Sequence, residues 1–343
     1  MRAELGLPYR ASMAQGSTTS PERSQQVPDG TSLTNIAALS LVDACTAAAA
    51  ACFPWVGRGD KIAADHAAVE AMRAALAHLP GGGIVVIGEG EKDDAPMLFE
   101  GEIVGDEAEP LFDLAIDPLE GTNLCASGGP GAITVISAAP RGRLRALAGF
   151  YMDKIVVGAG AKGHVDIDAP VEDNIASVAA ALDKPVERLR VIVMRKPRHV
   201  ELIERIRASG ASVHEITDGD VMAGLGALVP DGGVDLAVGI GGAPEAVITA
   251  CAVRLLGGDM QGRMAPQSDE ERARVEAAGE ADCRFDVNDL VDSDDALFAA
   301  TAVTASPALK GPQRVDDGLA LHTLLVTRDH GLLRLSSTVA APP

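Results

Sequence analysis

Residues 113–123 read DLAIDPLEGTN, and this stretch decides the fold class. An apolar Leu-Ala-Ile run, the mark of a buried strand, ends in Asp117, Pro118, Leu119, Glu120, Gly121 and Thr122. Carboxylates repel one another and resist desolvation, so two of them at a buried strand's exit call for a positive charge between them. Pro118 falls where no backbone donor is required, so the spacing predicts a strand that ends at Asp117 and turns. Glu120, three residues on, can share a cation with Asp117, Gly121 admits a ligand close to the backbone, and Thr122 places a hydroxyl at a helix start. The competing reading is a capped helix with Asp117 as N-cap and Glu120 at N3.

Two other strand exits carry the same signature. IVVIG is followed by Glu89 within GEGEKDD (88–94), where one carboxylate is expected on a metal and another, Asp93 or Asp94, is free to orient or deprotonate a water. DLAVGIGGAP is followed by Glu245. In open α/β sheets ligands collect beyond the carboxyl ends of strands, so these exits can converge on one place. Oxygen-only donors suit Mg²⁺ or Mn²⁺ rather than zinc.

The remaining motifs fill in around that centre. In GRGDKIAADHAAVEAM (57–72), Lys61 and Asp65 stand four apart on one helix face, the spacing of a simple ion pair. His66 reads as a surface or packing residue. MRKPRH (194–199) sets Lys196 and Arg198 at a helix N-terminus, a place suited to phosphate, or equally to two exposed basic side chains. The carboxylates of TDGD (217–220) can accept sugar hydroxyls or cap the next helix. Tyr151 reads as a core aromatic. GIGGAP (239–244) is not a dinucleotide fingerprint, because Pro244 occupies the last glycine's place in G-x-G-x-x-G.

Alternating strands and helices across the chain predict an α/β protein with a partly parallel, mixed sheet between helices. An Ala-rich helix over 33–55 and a second over 62–79 open it, strands follow to about 159, and a seam falls near 180–190. This gives a tail at 1–32, a metal-binding domain at 33–185, a substrate-binding α/β domain at 186–335 and a flexible end at 336–343. Residues 264–279 read as a solvated helix. The 343 residues are 47% hydrophobic but only 3% aromatic, so the core is built from Ala, Val, Leu and Ile. A net charge of −20 argues against nucleic acid as a partner and requires local positive charge if the substrate is an anion.

Cys45, Cys52, Cys125, Cys251 and Cys283 form no C-x-x-C pair and read as reduced residues of a cytoplasmic protein. The Ala-rich run near 44–53 is too short for a membrane span. Residues 1–32 hold no signal-peptide core and read as a disordered tail in which Met13 could serve as an alternative start. Glu4, Glu22 and Asp29 weigh against a transit peptide.

WVGRGDK, VIGEGEKDDAPML, AIDPLEGTN, YMDKIVVG, KPRH, ITDGDV and GIGGAPE occur in an order that resembles the class II fructose-1,6-bisphosphatases, of the lithium-sensitive, metal-dependent phosphatases that include inositol monophosphatases. The resemblance covers roughly residues 35–335. It implies a sugar-phosphatase fold of alternating α/β/α layers and hydrolysis of the 1-phosphate of fructose 1,6-bisphosphate. It implies two or more Mg²⁺ or Mn²⁺ ions on Asp65, Glu89, Asp117, Glu120 and Glu245. Asp93 and Thr122 would aim the attacking water near Lys61. Substrate contacts would come from Glu120, Gly121, Thr122, Tyr151, Lys196, Arg198, Asp218, Gly219, Asp220 and Gly242, with Lys196 and Arg198 on the distal phosphate, and the assembly would be a dimer or tetramer. Sedoheptulose 1,7-bisphosphate is the rival substrate, and a weakly active, sugar-phosphate-binding regulator is the rival from another class. The chain departs from the family pattern in LCASGGPGAITV (124–135), in TAVTASPALKG (301–311), where Ala302 stands for the usual Gly, and in a lost acidic position of the first helix unless Asp43 compensates. None of these touches an expected metal ligand.

Overall fold

The computed structural model describes residues 33–89, 97–106 and 109–340. The expected tail at 1–32 and Asp93 lie outside them. Two helices, α1 (Leu33–Cys52) and α2 (Lys61–Leu76), come first. The strands β1 (Gly83–Ile87), β2 (Ile103–Val104), β3 (Phe112–Glu120) and β4 (Ile133–Pro140) follow, with α3 (Thr122–Ser127) between the last two. Next come β5 (Tyr151–Val157), α4 (Val171–Ala181), β6 (Arg190–Met194), α5 (Val200–Ala208), β7 (Ser212–Ile216) and α6 (Asp220–Leu228). The chain continues through β8 (Leu236–Gly242), α7 (Ala243–Leu256), β9 (Asp259–Met264), α8 (Asp269–Ala277), β10 (Arg284–Asp286) and α9 (Val287–Leu290). It ends in β11 (Leu297–Ala302), β12 (Gln313–Val315), β13 (Gly318–Thr327) and β14 (Gly331–Val339).

The strands form two mixed sheets. One has eight strands in the order β12-β13-β11-β4-β3-β1-β2, with β14 on β13, and the other six in the order β10-β9-β5-β8-β6-β7. β1 and β3 run parallel, as do β6 with β7 and with β8; the other pairs are antiparallel. The sequence of α7 (APEAVITACAVRLL) explains how the sheets are joined. A helix apolar on every side must be covered on every side, and α7 packs against β3, β4 and β11 of one sheet and β5, β8 and β9 of the other. With α6 it fills the middle layer. Helices α1 and α2 cover the outer face of the first sheet, and α4 and α5 that of the second, giving the alternating helix and sheet layers that the resemblance implies.

Several local expectations change. The chain changes sheet at 141–150 and again at 287–296, because β5 joins the six-stranded sheet while β11–β14 return to the eight-stranded one. Residues 336–339, expected as loop, complete β14, where Val339 pairs with Leu319. Ile36–Trp55 is long and apolar enough to cross a membrane, contrary to the reading from the shorter Ala run. It packs instead as a core helix: Ala37, Leu41, Ala44, Cys45, Ala48 and Cys52 are fully buried, and Thr134 donates to the Cys45 carbonyl at 2.8 Å.

Candidate active site

The strand exit that opened the reading is more unusual than a turn. β3 does not stop at Asp117 but runs through Pro118 to Glu120, with its register against β4 slipping between them. A bulge of this kind re-aims side chains, and Pro118 is tolerated because the slip removes its ladder bond. The capped-helix alternative is absent: Asp117 Oδ1 accepts from Leu119 N at 3.0 Å, and α3 starts at Thr122 behind Gly121, whose φ of 80° is one that side-chain-bearing residues rarely adopt. Thr122 Oγ1 donates to the Leu119 carbonyl at 3.0 Å.

Glu120 is 6% exposed, and its Oε1 accepts the Val221 N–H at 2.7 Å. It therefore takes one of the unpaired donors at the start of α6, where the TDGD carboxylates were the expected caps. Asp220 instead pairs with Lys154 and accepts from Gly242 N at 3.0 Å. Glu245, on the first turn of α7, folds back over Gly242; a Cβ there would meet Glu245 Oε2 at 1.5 Å. That Oε2 is buried with no hydrogen-bond partner among the described residues. Glu89 follows β1 by way of Gly88, where a Cβ would meet the Leu98 carbonyl at 2.0 Å.

One cavity of about 730 Å³ is lined by Asp65, Glu89, Asp117, Glu120, Gly121, Thr122, Asp218 and Glu245. All five expected metal ligands thus face a common space. Burial, then the charges of Glu120, Glu89 and Glu245, hold the Asp117 carboxyl well above its usual range. Burial and the neighbouring Glu245 and Asp220 push Glu120 up to about 8. Glu245 is also raised, by burial and then by Asp220, with Lys154 opposing. Among the described residues no three of these side chains meet around one point as placed; like charges in a desolvated cavity spread apart. A lone buried oxygen on Glu245 and an all-carboxylate donor set fit a hard divalent cation.

The other expected residues divide. Lys61, Tyr151, Lys196, Arg198, Gly219, Asp220 and Gly242 do not line this cavity. Lys61 is exposed at the start of α2, which Asp60 caps through Ala63 N at 3.0 Å. Tyr151 is not core: it is half-buried, with the Arg198 guanidinium 5.1 Å from its ring centre. Arg198 also donates to the Ile240 carbonyl at 2.9 and 3.3 Å, which fixes it at the end of β8. Next to it, buried His199 donates from Nδ1 to the Met194 carbonyl and accepts from Ile240 N at Nε2, so it is neutral; burial lowers its pKa. Gly219, at a φ of 93°, and Asp218 line a second, mainly apolar cavity of about 360 Å³. Asp218 borders both cavities and accepts from Asn123 at 3.0 Å. His66, as expected, is exposed beside Glu70.

Lys154 was missed. It is 6% exposed, is paired with Asp220 and donates to the Gly242 carbonyl at 2.8 Å, so it ties β5 to the turn that carries Glu245. Its only sequence signal is a lysine that follows Asp153 inside the strand YMDKIVV. Arg274 and Phe150 also line the acidic cavity; Arg274 gave no signal within a helix read as solvated, and Phe150 none just before β5.

Comparison with known proteins adds a name to this arrangement. The model of the bacterial, glpX-encoded fructose-1,6-bisphosphatase family matches residues 35–340. Fructose-1,6-bisphosphatase 1 class 2 of Escherichia coli is 42% identical over 293 residues, 81% of this chain and 87% of the relative. Fructose-1,6-bisphosphatase class 2 of Shigella flexneri matches with the same identity and coverage. With the match running from α1 into β14, and so through every strand exit that bears a cavity carboxylate, the chain belongs to the glpX-encoded, class 2 family of bacterial fructose-1,6-bisphosphatases.

Proposed function

We propose that the chain hydrolyses the 1-phosphate of D-fructose 1,6-bisphosphate to fructose 6-phosphate and phosphate, with two or more Mg²⁺ or Mn²⁺ ions held by Asp65, Glu89, Asp117, Glu120 and Glu245. The observation that carries this reading is the single cavity lined by all five carboxylates, with Glu245 Oε2 buried and unpartnered among the described residues. When bound, the cations neutralise phosphate charge and acidify a water. Thr122 gives its hydroxyl hydrogen to Leu119, so it meets a water as an acceptor and turns that water's lone pair outward. Asp93 is the second group assigned to that water, with Lys61 nearby. Gly121 leaves the backbone open beside the phosphate. Asp218, Gly219, Asp220 and Gly242 are assigned to the sugar, and Lys196, Arg198 and Tyr151 to the distal phosphate.

The same reading places the chain in the inositol monophosphatase-like superfamily, in the cytoplasm, in gluconeogenesis, and in a dimer or tetramer. The experiment is phosphate release from fructose 1,6-bisphosphate and sedoheptulose 1,7-bisphosphate, with Mg²⁺, with Mn²⁺ and with chelator. Faster cation-dependent release from the fructose ester is expected. Preference for the sedoheptulose ester would replace the substrate, and release unaffected by chelator would remove the cations from the account.

A further inference from the structure

A cavity bordered by Asp65, Glu89, Asp117, Glu120, Asp218 and Glu245 presents a hostile entrance to a phosphate ester. Arg274 is the only basic side chain lining it among the described residues. It rises from α8 with its guanidinium carbon 4.0 Å from the centre of the Phe150 ring. Phe150 is 57% exposed, a large apolar ring kept at the wall of a polar cavity.

That placement is built from beneath. Glu271, one turn earlier on α8, is 2% exposed. Its Oε1 accepts from Phe150 N at 2.6 Å and Tyr151 N at 2.9 Å, and its Oε2 accepts from Gln267 N at 2.8 Å. One carboxylate thus clamps the start of β5 to α8, and the i,i+3 spacing sets Arg274 on the same helix face. A ring beneath a guanidinium uses none of its N–H groups, so the planar fork keeps its donors for phosphate oxygens. Lys196 and Arg198, the basic residues expected from the sequence, do not line this cavity.

We propose that Arg274, seated on Phe150, is a phosphate-recognition residue of the acidic cavity, receiving the phosphoryl group that enters it and the inorganic phosphate that leaves. This rests on the bisphosphatase reading and adds to it the group that offsets the carboxylates' repulsion at the cavity wall.

The test compares wild type with Arg274→Ala, Arg274→Lys, Phe150→Ala and, as a control for net charge, Arg207→Ala, whose guanidinium pairs with Glu215 at the surface. The quantities read are KM for the bisphosphate, kcat, and the inhibition constant of inorganic phosphate. In Arg274→Ala, KM and the phosphate constant should rise together by roughly tenfold, the contribution of one charge-assisted hydrogen bond, with kcat changing far less. Arg274→Lys should recover part of the loss, and Phe150→Ala should move both constants in the same direction by less. An unchanged phosphate constant, a fall in kcat alone, or an equal rise in Arg207→Ala would overturn the proposal. If wild type released no phosphate from the bisphosphate, the functional reading would fail by itself. Calorimetric titration of inorganic phosphate into metal-loaded wild type and Arg274→Ala would then still decide whether Arg274 holds phosphate.

Discussion

Glu120 has two roles in one side chain. One oxygen takes the Val221 N–H that opens α6, while the carboxylate as a whole faces Glu245 and Asp117 across the cavity. Glu120→Gln keeps an acceptor for Val221 and removes the charge. It should therefore fold while losing turnover by about a hundredfold or more, the scale set by groups that stabilise charge in a transition state; phosphate release on a protein of unchanged circular dichroism checks this, and full turnover would exclude Glu120 from the site. Lys154 makes the opposite case. Removing one member of a buried pair leaves the other uncompensated, so Lys154→Ala should cost roughly 3–5 kcal/mol in urea unfolding, and a cost below 1 kcal/mol would show that Asp220 is solvated instead. Both residues explain what single residues disclose in sequence. A carboxylate after an apolar run announces itself, because nothing local needs it. A lysine inside a strand looks like a solvent-facing position, and its partner Asp220 lies 66 residues away.

At the scale of elements, what was legible followed from periodicity. The apolar runs of β1, β3, β6 and β8 and the breaks after α1 and α2 were readable because strand and helix periods are local. The order of strands was not, since β5 between β8 and β9, and β11 between β4 and β13, are pairings between distant segments. The bulge at Asp117–Glu120 was hidden for a related reason: Pro118 looks like a terminator unless the partner strand is known to slip. Helix α8 reads as solvated because its surface is charged, while its structural contribution comes from two buried side chains, Glu271 and Val275. Replacing Glu271 with Ala strands the N–H groups of Phe150, Tyr151 and Gln267. We expect a loss of about 2–4 kcal/mol and faster hydrogen exchange at 150–151; protection unchanged at those amides would mean that the clamp does not hold β5 to α8.

At the scale of the whole molecule, the charge of −20 matters most where it is buried. A carboxyl whose folded pKa is raised binds its proton more tightly folded than unfolded, so stability falls as pH rises from the ordinary carboxylate value to the folded one. For Glu120 that window runs from 4.5 to about 8, and Asp117 and Glu245 shift in the same direction. His199 works the other way, because a buried neutral imidazole gains stability as pH rises, but only up to its ordinary value of 6.5. Between pH 6.5 and 8 the acidic cavity therefore acts unopposed by that histidine. Chelator-treated protein should lose about 2 kcal/mol of unfolding free energy across this interval, the equivalent of one proton over one and a half pH units. Saturating Mn²⁺ or Mg²⁺ should flatten the slope, since a cation among ionised carboxylates stabilises the form that high pH favours. Denaturant titrations at pH 6.5, 7.25 and 8, with and without the cation, measure both slopes. A chelator-treated protein whose stability held level or rose over that range would mean that these carboxylates are already compensated within the fold, and that the cavity has no need of a metal.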